Sequence, residues 1–330
     1  MAKRALVTGG AGQDGSYLID LLLAHGYEVH AQSRRQQRDD RTGVTWHTGD
    51  LTDPVFLENL IKSAEADEIY NLAAASHTQM VWDEPIEAAQ LNALVPQQIC
   101  ELIRQHSRES RLFQASSAAI YGDSASNTQN ETTPCDPRTP YGIAKFYAHR
   151  LVGAYREKYG LHLTSGILFN HESPRRPLSF VSQKIAHAAA AVHLGLTETK
   201  EKDEFGDPLL SNGKVKLGNL DAKRDFGFAG DYAEAIYAVL QGATADDYVI
   251  GTGECHSIRE FCKAAFEVVG LNWENHVTQD QSRVRSIDAS IICADASKLR
   301  NQFGWQPTMT FNGLVKLMVE HRIEAIRSGR

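Results

Sequence analysis

The chain has 330 residues, 42% of them hydrophobic, and a formal net charge of −7. That length can bury a large core as one big or two modest domains, and an acidic balance without a basic run argues against a nucleic-acid surface. No stretch approaches a membrane span and the N-terminus lacks the apolar run of a signal peptide. The five cysteines form no C-x-x-C, so a soluble, cytoplasmic, metal-free protein with reduced thiols is expected.

Arg4 to Thr8 is an apolar strand that runs directly into Gly9-Gly10-Ala11-Gly12-Gln13-Asp14-Gly15. A helix over Ser16 to Gly26 follows, with Leu18, Leu21, Leu22 and Leu23 as its buried stripe. Strand, glycine turn and helix in that order form the context that makes a dinucleotide motif credible. Gly9 permits the tight turn, Gly12 lets backbone approach a pyrophosphate, and Gly15 allows close packing of helix on strand.

Tyr27 to Gln32 is the second strand. At its end, where NAD enzymes commonly carry a carboxylate for the ribose, stand Ser33, Arg34 and Arg35. Two guanidiniums there point to the 2′-phosphate of NADP; a solvated basic loop continuing through Arg38 and Arg41 is the other reading. Gly49-Asp50-Leu51 ends a third strand, with Asp50 suited to the adenine amine. Glu68 to Ala75 reads as a fourth, its Leu72 and Ala73 letting backbone pass beside the cofactor. Ser76, His77, Gln79 and Trp82 occupy the next loop, and Pro85 to Arg104 reads as one long helix containing Asn92. Strands alternating with helices predict an α/β fold: a Rossmann-type doubly wound parallel sheet with its site at the strands' C-terminal edge.

Phe113 to Ser117 reads as a buried strand with hydroxyls at its tip, and Ile143 to Tyr159 as a helix with Tyr141 and Lys145 near its start. A Tyr and a Lys four apart lie about one turn from each other on one face. An ammonium beside a phenol favours the phenolate, so Tyr141 is expected to have a lowered pKa and to accept a proton from an alcohol. A strand-tip hydroxyl can hold the substrate oxygen in line.

With the glycine turn in place, Ser117, Tyr141 and Lys145 resemble the catalytic set of the extended short-chain dehydrogenase/reductases. In that superfamily the hydroxyl orients a sugar alcohol, the Tyr takes its proton, and the Lys also holds the nicotinamide ribose. Farther along, Gly166-Ile-Leu-Phe-Asn-His-Glu-Ser-Pro-Arg-Arg176 and Leu217-Gly-Asn-Leu-Asp-Ala-Lys-Arg-Asp-Phe-Gly227 are similar to the GDP-mannose 4,6-dehydratase family. Thr8 to Gly15, Pro137 to Lys145 and Asp231 to Ala235 fit the same family, so the resemblance covers nearly the whole chain. It implies NADP at Gly9, Gly12, Gln13, Asp14, Gly15, Arg34, Arg35, Asp50, Leu51, Leu72, Ala73, Tyr141 and Lys145. It implies a GDP-linked sugar at Ser76, Asn170, Arg175, Val181, Lys184, Gly218, Asn219, Arg224 and Arg285. It implies a dinucleotide domain over 1–170, an interleaved sugar-nucleotide lobe over 171–330, and a homodimer or homotetramer.

The chain departs from the family pattern at the strand tip. Where the family carries Thr-Ser-Glu before Leu-Tyr-Gly, this sequence has Ser117-Ala118-Ala119 before Ile120-Tyr121-Gly122. The family's Glu handles the C5 proton when water leaves, and the methyl of Ala119 cannot. The tip resembles instead the 4-epimerases of the same superfamily. Epimerase or oxidoreductase turnover at C4 of a GDP-hexose or heptose is therefore expected. A dehydratase using another base and a non-catalytic sugar-nucleotide binder are the alternatives. Asp123 is the nearest carboxylate in sequence, though its place past the Tyr-Gly turn aims it elsewhere. Gln36 to Thr48 is shorter than the family's inter-subunit arm, whereas Thr197 to Val215 is longer and polar, either a lid or a solvent loop.

Overall fold

The computed structural model describes residues 2–36, 41–76, 78–124, 126–284 and 289–329. Strands β1 (Arg4–Thr8), β2 (Glu28–Ser33) and β3 (Val44–Thr48) enclose helices α1 (Gln13–Ala24) and, after β3, α2 (Pro54–Ala64). Then come β4 (Glu68–Asn71), α3 (Thr78–Asp83), α4 (Pro85–Ala89), a π turn (Gln90–Leu94), α5 (Val95–His106), β5 (Arg111–Ser117) and α6 (Pro140–Tyr159). Next are β6 (Leu163–Leu168), β7 (His171–Glu172), α7 (Val181–His193), β8 (Val215–Leu217), β9 (Lys223–Asp225), β10 (Gly227–Phe228) and α8 (Ala229–Leu240). The chain ends with β11 (Asp247–Ile250), β12 (Cys255–Ser257), α9 (Ile258–Val268), β13 (Val277–Gln279), β14 (Ile291–Ile292), α10 (Ser297–Phe303) and α11 (Phe311–Arg327).

Seven parallel strands form one sheet in the order β11-β6-β5-β4-β1-β2-β3. The order reverses at β1, so the crevice opens between the C-terminal ends of β1 and β4, where a doubly wound sheet receives its ligand. Apolar runs such as Leu6, Val7, Ile69 and Leu112 are fully buried because helices cover both faces. One core packs α1 and α8 on the sheet, with Ile19 and Tyr232 at its centre, and the opposite face packs α2, α5 and α6. A third core joins α7, α9 and α11 beneath the small strands. β11 returns to pair with β6, so the second half of the chain re-enters the main sheet.

Local chemistry fixes the helix ends. Asp53 caps α2 ahead of Pro54, Thr139 caps α6 ahead of Pro140, and Ser257 with Glu260 forms a capping box on α9. The structure corrects several expected elements. Strand β4 stops at Asn71, because the next backbone N–H groups bond to the Thr8 hydroxyl instead of a ladder. On α1, Ile19 joins Leu18 and Leu22 in full burial, while Leu21 and Leu23 are partly covered. The expected long helix is divided by the π turn. Pro96 has no N–H to donate, and the turn absorbs the missing bond.

Asn92 sits in that π turn, buried, and brackets Ala75: its Oδ1 accepts from Ala75 N at 2.9 Å and its Nδ2 donates to Ala75 O at 2.9 Å. Asn92→Ala leaves both backbone groups buried without partners. Urea unfolding should register a loss of about 2 kcal/mol, with the slope of the transition unchanged.

Candidate functional site

A cavity of about 1140 Å³ runs from the C-terminal edge of the main sheet to the small lobe. Gly9, Gly12, Gln13, Asp14, Gly15, Arg34, Arg35, Asp50, Leu51, Leu72 and Ala73 line one half. Ser76, Asn170, Val181, Lys184, Gly218, Asn219 and Arg224 line the other, and Ser117, Tyr141 and Lys145 lie on the same wall. His77, Arg38 and Arg285 lie outside the described residues.

The glycine turn is a cradle that side chains would fill. Gly9 has φ +66°, and a Cβ there would meet Ala73 Cα at 2.9 Å; at Gly15 it would meet Gly9 O at 2.5 Å. Gln32 braces the turn, accepting from Gly9 N at 3.1 Å and donating to Gly49 O at 2.8 Å. Among the described residues the buried Ser116 hydroxyl on the cavity wall has no hydrogen-bond partner. Backbone open to close approach, two guanidiniums and an unmatched hydroxyl together fit a phosphate-bearing dinucleotide.

A buried polar chain joins this turn to Lys145. Thr8 Oγ1 donates to Asn71 Oδ1 at 2.6 Å, Asn71 Nδ2 to Gln114 Oε1 at 2.7 Å, and Gln114 Nε2 to Ala115 O at 3.0 Å. Lys145 Nζ donates to that same Ala115 carbonyl at 2.9 Å. Burial pushes the Lys145 ammonium down to about 8, against the pull of Asp14. Its Nζ lies 5.9 Å from the centre of the Tyr141 ring.

The expected lowering of Tyr141 is not found in the protein alone. Burial pushes the phenol up, and the Ser117 hydroxyl and the Arg176 guanidinium offset this only in part. The physical reason is that desolvation of the phenolate, with Asp14 nearby, outweighs the Ser117 hydrogen bond and the Arg176 charge.

Arg175 also departs from expectation. Its guanidinium turns away from the cavity to Ser16 (3.1 Å) and Asp20 (2.9 Å) on α1 and covers the Tyr17 ring. Arg176 lines the cavity instead, held by Glu172 at 3.3 Å. Asn219 faces the cavity with its carboxamide oxygen accepting from Asp221 N. Asp123 accepts from Ser290 N, away from the cavity. The 197–215 segment is not a plain solvent loop, since Glu204 and Phe205 line the cavity and Leu209 and Leu210 are buried. Arg176, His171, Glu204 and Arg283 all line the site without having been singled out in sequence. For His171 and Arg176 the signal was present, inside the Asn170–Arg176 motif.

His171 clasps the two halves. Its Nδ1 stands 2.7 Å from Phe169 O and its Nε2 3.0 Å from Asp14 Oδ1. Both facing atoms are acceptors, so both ring nitrogens carry protons and the ring is an imidazolium. Burial works against that charge, but Asp14 and the Phe169 carbonyl raise His171 overall. Burial likewise opposes the Asp14 carboxylate, yet His171, with help from Arg176 and Gln13, brings it to about 2. Gln13 adds a donation to His171 O and accepts from the Ser173 hydroxyl.

This pair sets a pH window. Asp14, lowered from 3.8, contributes stability that is lost as pH falls toward 2; His171, raised from 6.5, contributes stability that is lost as pH climbs past its folded value. His171→Gln should cost about 3 kcal/mol at pH 6 by urea unfolding and flatten the decline above 6.5. The double change with Asp14→Asn should recover most of the loss.

The sequence model described as GDP-mannose 4,6 dehydratase matches residues 6–318. The chain is 40% identical over 341 residues to GDP-mannose 4,6 dehydratase 1 of Arabidopsis thaliana, covering 98% of this chain and 90% of that protein. Among solved structures it is similar to the UDP-glucose 4-epimerase of Thermus thermophilus complexed with NAD. The TM-score is 0.83 at 27% identity, over 97% of this chain and 98% of that one. The dTDP-glucose 4,6-dehydratase of Bacillus anthracis, in complex with NAD, shares the fold with a TM-score of 0.83 at 21% identity, over 99% of this chain and 98% of that one. The chain belongs to the GDP-mannose 4,6-dehydratase family.

Proposed function

We propose that this protein is an NADP-dependent enzyme that oxidises C4 of a GDP-linked hexose or heptose. Turnover ends in 4-epimerisation, or in release or reduction of a 4-keto sugar. The observation that carries the reading is the wall shared by Ser117, Tyr141, Lys145 and the glycine cradle, with a methyl group at Ala119. NAD-bound neighbours support a nicotinamide dinucleotide, and Arg34 and Arg35 at the cavity's adenosine end favour NADP. When bound, the dinucleotide accepts the C4 hydride and can return it.

The chain's own part is proton handling and orientation. Ser117 hydrogen-bonds the C4 oxygen, and Tyr141 takes the hydroxyl proton as the C4–H bond breaks. Lys145, fixed on Ala115, supplies positive charge beside the phenol. Among the described residues the carboxylates lining the cavity are Asp14, Asp50 and Glu204. Asp14 is paired with His171, Asp50 accepts from Thr52 N and Oγ1, and Glu204 is paired with Lys184. None replaces a Glu at 119, which supports turnover without loss of water. The second reading, a 4,6-dehydratase with another base, draws on the 40% identical relative bearing that name.

Exposed Ile86, Leu94, Ile143 and Tyr147 on α4, the π turn and α6 support a homo-oligomer through that face. Among the described residues no helix is long and apolar enough to cross a membrane.

Three measurements test the reading. Tyr141→Phe should lower turnover on the accepted GDP-sugar by about 10²–10⁴-fold. Mass spectrometry of products from a panel of GDP-sugars should show no loss of water with the natural chain; its loss from GDP-mannose would establish the dehydratase reading. Arg34→Ala with Arg35→Ala should raise KM for NADP at least tenfold and leave KM for NAD nearly unchanged.

A further inference from the structure

The segment joining α7 to β8 is a folded arm. Thr199 N donates to Leu210 O at 3.1 Å and Leu210 N to the Thr199 hydroxyl at 3.1 Å, while Leu209 and Leu210 anchor in the core. Its tip, 203–207, is a tight turn in which the Asp203 carboxylate accepts from Phe205 N at 2.9 Å and Asp207 N at 3.1 Å. The tip holds two cations of the cavity wall. Arg283 pairs with Asp203 and Asp207 and lies 4.8 Å from the Phe205 ring centre. Glu204 pairs with Lys184, which reaches out of α7.

The two grips are unequal. Arg283 is 6% exposed and is shared among Asp203, Asp207 and, at 3.4 Å, Asp280. Pulling the tip away would strand a buried guanidinium, which is strongly unfavourable. Lys184 and Glu204 are buried to a similar degree (7% and 9% exposed), but among the described residues Lys184 pairs with one carboxylate of the tip and lies on the cavity wall. We propose that Glu204 is an exchangeable occupant of an anion seat on Lys184. It holds the seat while no nucleotide is bound and is replaced by a phosphate of an incoming nucleoside diphosphate, with the tip turning on its Arg283 anchor.

This rests on reading the cavity as a sugar-nucleotide site. Two anions held within a few ångströms of each other in a partly desolvated wall repel far more than they would in water. A phosphate and the Glu204 carboxylate therefore compete for the one ammonium. A phosphate brings more charge and more acceptor oxygens, so it wins the seat, while the buried Asp203–Arg283 grip keeps the arm attached. The seat is thus never left as an unpaired buried cation.

The test is GDP titration by calorimetry on the full chain and on Glu204→Gln, with hydrogen exchange followed over residues 198–210. The variant should bind GDP about tenfold tighter, and its arm should exchange faster without GDP. The natural chain should reach that faster rate when GDP is added, with exchange in the central sheet unchanged in both. Equal or weaker GDP binding by the variant overturns the proposal, because Glu204 is then a ligand contact or a fixed wall. If GDP binds neither protein, the nucleotide reading fails, and unchanged arm exchange in the variant then overturns the latch as well.

Discussion

The hydrogen bond from Lys145 to the Ala115 carbonyl is the constraint on which the site depends. A buried ammonium is costly, and it persists here because a strand-end carbonyl receives it. That carbonyl is itself the end of the Thr8–Asn71–Gln114 chain, which crosses three neighbouring strands. The chain needs β1, β4 and β5 side by side at their C-terminal ends. Sheet order therefore sets the position of Lys145, and the same Thr8 hydroxyl that begins the chain also ends β4 and opens the crevice. The dinucleotide turn and the lysine are parts of one hydrogen-bonded unit.

A second clasp reaches the turn from the other lobe. Gln13 and Asp14 hold His171 and Ser173, and the Ser173 carbonyl accepts from Gln183 on α7. Gln183 in turn accepts from Arg322 on α11. The first turn of α1 is thus tied through β7 to the helices of the small lobe. Charge compensation explains why a buried carboxylate is tolerated beside the glycine turn. With His171 protonated, the Asp14 pair is close to neutral.

The parts legible in the sequence were those with local signatures. The strand–glycine–helix order, the buried strands and the Tyr141–Lys145 spacing all follow from residues within a few positions of each other, whereas the helix read from Ile143 begins at Pro140, behind its Thr139 cap. The features that were not legible depend on partners far along the chain. Arg175 and Arg176 are chemically alike, and Ser16, Tyr17 and Asp20 on α1 draw Arg175 out of the cavity while Glu172 holds Arg176. Asp14 and His171 meet from opposite halves of the chain, and no local pattern announces the pairing. Tyr141 is expected to be acidic from its spacing to Lys145, but spacing says nothing of desolvation. The arm over 197–215 had a composition common to lids and solvent loops, and Leu209 and Leu210 were its one sign of anchoring.

Ala119 presents only a methyl group to the cavity, and the arm brings Glu204 into the wall at Lys184. Glu204 does not stand in for a carboxylate at 119. A general base must reach its proton through a hydrogen bond or one water, and Glu204 is committed to an ammonium, with no influence among the charges that act on Tyr141. Ser117, Tyr141, Lys145 and the glycine turn all line the same cavity. On the proposed reading, oxidation at C4 draws on these groups alone, and it is the step after it that a methyl group at 119 would alter.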